Sequence, residues 1–256
     1  MLTASEIHLQ RDGHTLLRHA RLQIAPGQVH ALLGANGAGK STLLSVLAGA
    51  QPPQRGQVQI NGETMASLPL LERARRRAVV SQQDRSEGSM RAWDSVALGR
   101  FPYQDEHSAG GQAAIEQALR QTGSLGLANR ELGGLSGGER ARVQLARALA
   151  QLDNRLDEPR YLLLDEPTAS LDLAWQHRSL RRLRHLANEG LGVLIILHDP
   201  NLALRYADTV TLLRHGTVVD SGPTPTVMQE ALLSELYDLP LRRAAPLGQE
   251  MLIPLG

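Results

Sequence analysis

Residues 34–42 read GANGAGKST, and this stretch fits Gly-x-x-x-x-Gly-Lys-[Ser/Thr] through Gly34, Gly39, Lys40 and Ser41. Glycines allow a tight backbone, so consecutive N–H groups of Ala35, Asn36, Gly37, Ala38 and Gly39 can point into one concave nest. Such a nest suits a phosphate chain. Lys40 adds a point charge for the β- and γ-phosphates, the Ser41 hydroxyl is a Mg²⁺ ligand, and Thr42 closes the motif. The flanks agree. An apolar run of strand length precedes the loop (Val29, Ala31, Leu32, Leu33), and Leu43, Leu44 and Leu47 follow it at helical spacing, with Gly49 as a stop. Strand, glycine loop and helix in that order confine the chain to an α/β fold with a phosphate loop. The alternative, a Gly/Ala-rich turn with an incidental lysine, does not explain that order.

Two adjacent acids raise a related question. Asp165 and Glu166 follow the apolar run Tyr161 to Leu164. Acids at the C-terminal end of a buried strand make sense where that end opens into a site, and parallel α/β sheets bind ligands at that edge. Asp165 is expected to hold the Mg²⁺ shell, and Glu166 to orient and deprotonate an attacking water. His198 ends another apolar run, "LGVLIIL", and so is expected at the same edge as a contact to the γ-phosphate of ATP.

The segment "LSGGE" (135–139) adds a second anion site. Ser136 and Glu139 form a capping box, which alone accounts for a helix start. Gly137 and Gly138 beside it expose free N–H groups at the positive end of the helix dipole. One chain has no need of two such sites. Two chains arranged head to tail do, because the loop of one and the helix start of the other can clamp one ATP.

At 256 residues the chain suits one large domain with an inserted subdomain. Charged residues make up 21% and the formal net charge is +1, too balanced to argue for nucleic acid. The absence of cysteine removes disulfides and thiolate metal sites. No apolar run approaches the roughly 20 residues of a membrane span. The first ten residues lack the basic start and apolar block of a signal peptide.

Alternating strands at the N-terminus and at 56–63 predict a small antiparallel sheet, with a turn at Pro26-Gly27. A helix and then a strand from Ala78 to Ser81 follow. Strand-like runs vanish beyond residue 84, and residues 110–127 read as helix. Residues 136–152 read as an amphipathic helix, with Val143, Ala146 and Leu149 beside Leu145, Ala148 and Leu152. The expected organisation is a single domain over 1–256, with an ATP-binding core at 1–83 and 150–256 and a helical subdomain at 84–149. Apolar strands at 161–166 and 192–199 predict a parallel core, and 209–222 a hairpin turning at His215-Gly216. The arginine cluster "RARRR" (73–77) and the histidines His8, His14, His19 and His30 read as solvated surface, and Trp93 and Trp175 as packing residues.

Taken in order, "GANGAGKST", "VVSQ" with Gln82, "LSGGE", "LLLDE", "SLD" (170–172) and "ILHD" resemble the ATP-binding-cassette family over nearly the whole chain. The resemblance implies a RecA-like, mostly parallel core with an N-terminal antiparallel β subdomain. It also implies hydrolysis of ATP with Mg²⁺ in a head-to-tail homodimer. Gln82 would touch Mg²⁺ and relay movement to an integral membrane permease, and Asp172 would lie across the dimer seam. A substrate-binding protein would be an indirect partner, and the chain would sit peripherally on the cytoplasmic face of the inner membrane. Finer features, "VALGRFPY" (96–103), "QLDNRLDEPRY" (151–161) and "DLAWQH", look like importers of iron chelates, vitamin B12 and haem, and most like the haem branch. The competing readings are a soluble ATPase of the same type working without a permease, and an importer for another chelate. One departure stands out. Where the family places an adenine-stacking aromatic, this chain has Arg11, which implies loose base discrimination.

Overall fold

The computed structural model describes residues 1–81, 88–103, 108–153, 157–245 and 250–255. The chain begins with β1 (Leu2–Arg11), β2 (His14–Ile24), β3 (Val29–Leu33) and α1 (Lys40–Leu47). It continues through β4 (Arg55–Ile60), β5 (Glu63–Thr64), α2 (Leu70–Arg76) and β6 (Arg77–Val80). Helices α3 (Ala92–Ala97), α4 (Ser108–Gln121) and α5 (Gly137–Leu152) come next, then β7 (Tyr161–Asp165), α6 (Leu173–Asn188), β8 (Gly192–Ile196) and α7 (Pro200–Tyr206). The last elements are β9 (Thr209–Arg214), β10 (Thr217–Pro223), α8 (Thr224–Val227), α9 (Glu230–Tyr237), β11 (Leu241–Ala244) and β12 (Met251–Pro254).

A six-stranded sheet in the order β10-β9-β3-β8-β7-β6 forms the centre, parallel except for the β9–β10 hairpin. Its strands alternate between two cores, as the two-residue strand period requires. Ala31, Leu33, Leu162, Leu164, Val193 and Ile195 face one way, into a core shared with α4, α5 and α6. Leu32, Leu163, Leu194 and Ile196 face the other way, into a core shared with α1 and the antiparallel sheet β2-β1-β4-β5. All five residues of β7 and of β8 are buried, which is why these runs are apolar throughout. Each buried Leu or Ile side chain contributes roughly 2 kcal/mol of transfer free energy.

Several expectations are corrected. His30 is not solvated but 3% exposed. Its Nδ1 and Nε2 lie 2.8 Å from the hydroxyls of Thr209 and Thr211, so β9 satisfies both ring nitrogens. Burial pushes its pKa down to about 4. The arginines of α2 are anchored rather than solvated. Arg73 donates to Leu68 and Ala66 carbonyls, Arg75 to Pro102 O, and Arg76 pairs with Glu63 and Glu158. Helix α4 stops at Gln121, before Gly123 adopts φ +65. The tail forms a hairpin, β11–β12, fixed to α7 by the Asn201 amide, which donates to Leu252 O at 3.3 Å and accepts from Leu252 N at 2.7 Å.

Candidate active site

The phosphate loop is wedged between β2 and β9. Gly39 caps α1 at φ +101, and a Cβ there would sit 2.9 Å from Leu16 O. A Cβ on Gly34 would fall 2.2 Å from Leu213 O. Only glycine fits either place. Lys40 opens α1 and is buried, with Nζ donating to Gly34 O at 2.8 Å and Ala35 O at 3.0 Å. Burial lowers its pKa, opposed by the charges of Glu166 and Asp165.

Asp165 is the last residue of β7, and Ser41 Oγ donates to its Oδ1 at 3.1 Å. Burial raises the Asp165 pKa, the Ser41 hydrogen bond lowers it, the Glu166 charge raises it, and Lys40 and His198 draw it back down. Glu166 stands at φ +51, a left-handed backbone that a side chain of its size rarely adopts. His198 follows β8, and its Nε2 is 2.6 Å from Glu166 Oε1. Strands β3, β8 and β7 are neighbours, so Lys40, Ser41, Asp165, Glu166 and His198 meet at one sheet edge.

The donor set fits Mg²⁺. The ion takes oxygen ligands, commonly one or two carboxylates completed by substrate phosphates. A paired hydroxyl and carboxylate at Ser41 and Asp165 match that pattern. Among the described residues there is no group of three His, Cys, Asp or Glu that could hold a metal. Gln82, expected as a further ligand, lies outside the described residues.

A cavity of about 450 Å³ opens over the loop. It is lined by Asn36, Gly37, Ala38, Gly39, Lys40, Ser41, Thr42 and Glu166, and also by Thr15, Leu16, His215 and Gly216. Arg11 does not line it. His215-Gly216 was legible only as a hairpin turn, and no sequence signal set Thr15 or Leu16 apart.

The helix start at 136–139 lies away from that cavity. Both halves of the capping box are present: Glu139 N donates to Ser136 Oγ at 3.2 Å, and Ser136 N to Glu139 Oε2 at 2.9 Å. Arg130 Nη1 holds the same carboxylate at 2.9 Å. Gly137 and Gly138 pack on Ser170 and Leu171, so this helix start and the "SLD" turn form one ledge. Asp172 accepts from Trp175 N at 2.8 Å and caps α6. One turn into α5, the Arg142 guanidinium lies 3.9 Å from the centre of the Trp175 ring, with Arg178 5.1 Å away. Trp175 reads from the sequence as a packing residue, and nothing there marks Arg142 and Arg178 as its partners.

A nest of loop amides, a buried lysine and two acids at the end of a parallel strand define a phosphate-loop ATPase cassette. The chain belongs to the ABC transporter family, whose model matches residues 17–169. It is 45% identical over 257 residues to the hemin import ATP-binding protein HmuV of Burkholderia pseudomallei, covering 94% of each chain. It is 41% identical to the protein of that name from Hydrogenovibrio crunogenus, covering 99% of this chain and 100% of the other. An ABC transporter described as of metal-chelate type, in an inward-facing conformation, superposes with a TM-score of 0.83 at 27% identity, over 100% of this chain and 97% of that one. A bacterial ABC transporter cassette solved as a dimer gives 0.78 at 26% identity, over 88% and 99%.

Proposed function

We propose that this ABC importer ATPase powers uptake of haem or a related iron chelate, as a head-to-tail homodimer seated on a membrane permease at the cytoplasmic face of the inner membrane. The observation that carries the enzymatic part is the meeting of Lys40, Ser41, Asp165, Glu166 and His198 at one sheet edge beside the 450 Å³ cavity. The haem assignment is supported by relatives at 41–45% identity named for hemin import. Among the described residues no helix is long and apolar enough to cross a membrane.

In this reading the loop amides from Gly34 to Thr42 orient the triphosphate, and Lys40 neutralises its terminal charge. When bound at Ser41 and Asp165, with Gln82 as a further ligand, Mg²⁺ supplies charge neutralisation to the phosphate oxygens. Glu166 takes the proton from the attacking water at its carboxylate, and His198 holds that carboxylate and faces the γ-phosphate. The partner's ledge of Ser136, Gly137, Gly138 and Asp172 closes the other side. The helical unit proposed for 84–149 carries Ser136, Gly137 and Gly138, and Asp172 stands beside them at the start of α6. Permease contact runs along the exposed apolar residues Leu70, Leu98 and Phe101, where α2 meets the turn at 98–103.

The test is copurification with the membrane subunits, followed by ATPase measurement in vesicles. Stimulation by a haem-loaded binding protein is expected. Stimulation only by a siderophore or cobalamin carrier would move the assignment to that chelate. A fully active ATPase that never associates with membranes would remove the importer role.

A further inference from the structure

The cavity over the phosphate loop has two flanks. In the sheet order β9-β3-β8-β7, the loop leaves β3, Glu166 leaves β7 on one side, and His215 leaves β9 on the other. If ATP lies with its γ-phosphate toward Glu166, its base has to run toward β9, where Thr15, Leu16 and His215 complete the lining.

His215 is presented there by a turn with little freedom. His215 and Gly216 have φ of +47 and +75, which makes a two-residue turn between β9 and β10. Asn-Gly or Asp-Gly serves such a turn best, and histidine is a costlier choice. The turn is tied to the loop itself, since Gly216 N donates to Ala38 O at 2.9 Å. Arg18 N donates to Gly216 O at 2.8 Å, and a Cβ on Gly216 would meet Leu16 O at 2.4 Å. His215 therefore lines the cavity over the phosphate loop together with Leu16. A planar ring next to an aliphatic surface suits a nucleobase, which stacks on the ring and packs on the aliphatic carbons.

We propose that His215, with Leu16, reads the base of the bound nucleotide, taking the part that the sequence assigned to Arg11. This rests on the ATP-binding reading of the cavity and adds to it a residue for the base. A ring stack accepts any purine, so ATP and GTP should bind with similar affinity.

The experiment is equilibrium binding of ATP, GTP and inorganic tripolyphosphate to the wild type and to His215→Asn, His215→Phe and Arg11→Ala. Asn keeps the turn and Phe keeps a ring. His215→Asn is expected to weaken ATP and GTP roughly ten-fold, to leave tripolyphosphate unchanged, and to be largely rescued by Phe. Wild-type ATP affinity in His215→Asn would overturn the proposal. So would an equal loss of ATP and tripolyphosphate, which would make the turn a mere support for the loop. A loss in Arg11→Ala alone would return the base to Arg11. Lys40→Ala separates the two levels: if it weakens neither ATP nor tripolyphosphate, the ATP reading of the cavity fails, whatever His215 does.

Discussion

His198 Nε2 lies 2.6 Å from Glu166 Oε1, and this contact joins the ends of two neighbouring strands, β8 and β7. It brings the carboxylate and the imidazole together at one edge of the sheet. Glu166→Gln keeps the shape and loses the proposed base. Turnover should fall roughly 10²-fold or more while ATP affinity stays near wild type. An ATP-bound dimer should accumulate, visible by size-exclusion chromatography. Hydrolysis at the wild-type rate would remove Glu166 from the chemistry.

The ledge at Ser136 makes a prediction about two chains rather than one. Ser136→Arg should abolish hydrolysis and leave the single chain's ATP affinity nearly unchanged, because Ser136 does not line its own cavity. Mixing it with a Lys40→Ala chain creates heterodimers holding one intact site. Native mass spectrometry should find one ATP per mixed dimer. If none binds, the two chains do not meet head to tail.

His30 makes acid lability local. Its folded pKa is depressed to about 4, below the unfolded value of about 6.5. The unfolded state therefore binds more protons between these values, and stability falls as pH drops through this window. The contribution is full above pH 6.5 and lost towards pH 4, amounting to about 3 kcal/mol. Urea melts at pH 7.5 and 4.5 should show His30→Gln less stable at the higher pH but with a smaller acid-induced loss. An unchanged loss in the variant would place the acid sensitivity elsewhere.

The Trp175 ring has the guanidinium groups of Arg142 and Arg178 near it and packs on Gly123, where a Cβ would come within 2.9 Å of the ring. Trp175→Ala should cost about 2 kcal/mol in a urea melt, combining lost packing with two cation–π contacts. Phe should recover about half. If the stack also steadies the ledge, the Ala variant loses kcat at saturating ATP while nucleotide binding holds.

Much of this architecture could be read from the chain. The phosphate loop, the buried strands β7 and β8 and the capping box at Ser136 rest on local chemistry: glycine freedom, unbroken apolar runs, and a Ser-x-x-Glu spacing. What escaped depends on partners far away in sequence. His30 sits in a strand with no mark of burial beyond its apolar neighbours, and the threonines that satisfy it lie some 180 residues on. Arg73, Arg75 and Arg76 look like a charge run until the carbonyls and acids they bind come alongside. The place of Arg11 rests on alignment alone, and nothing in the sequence marked His215, which lines the cavity where Arg11 does not.

The left-handed backbone at Glu166 has a consequence for the history of the chain. Asparagine tolerates that conformation better than glutamate, by about 1 kcal/mol. On backbone strain alone Glu166→Asn should melt later than the wild type, less what the lost His198 contact costs, while hydrolysing next to nothing. Drift toward greater stability would thus erode the enzyme at this residue.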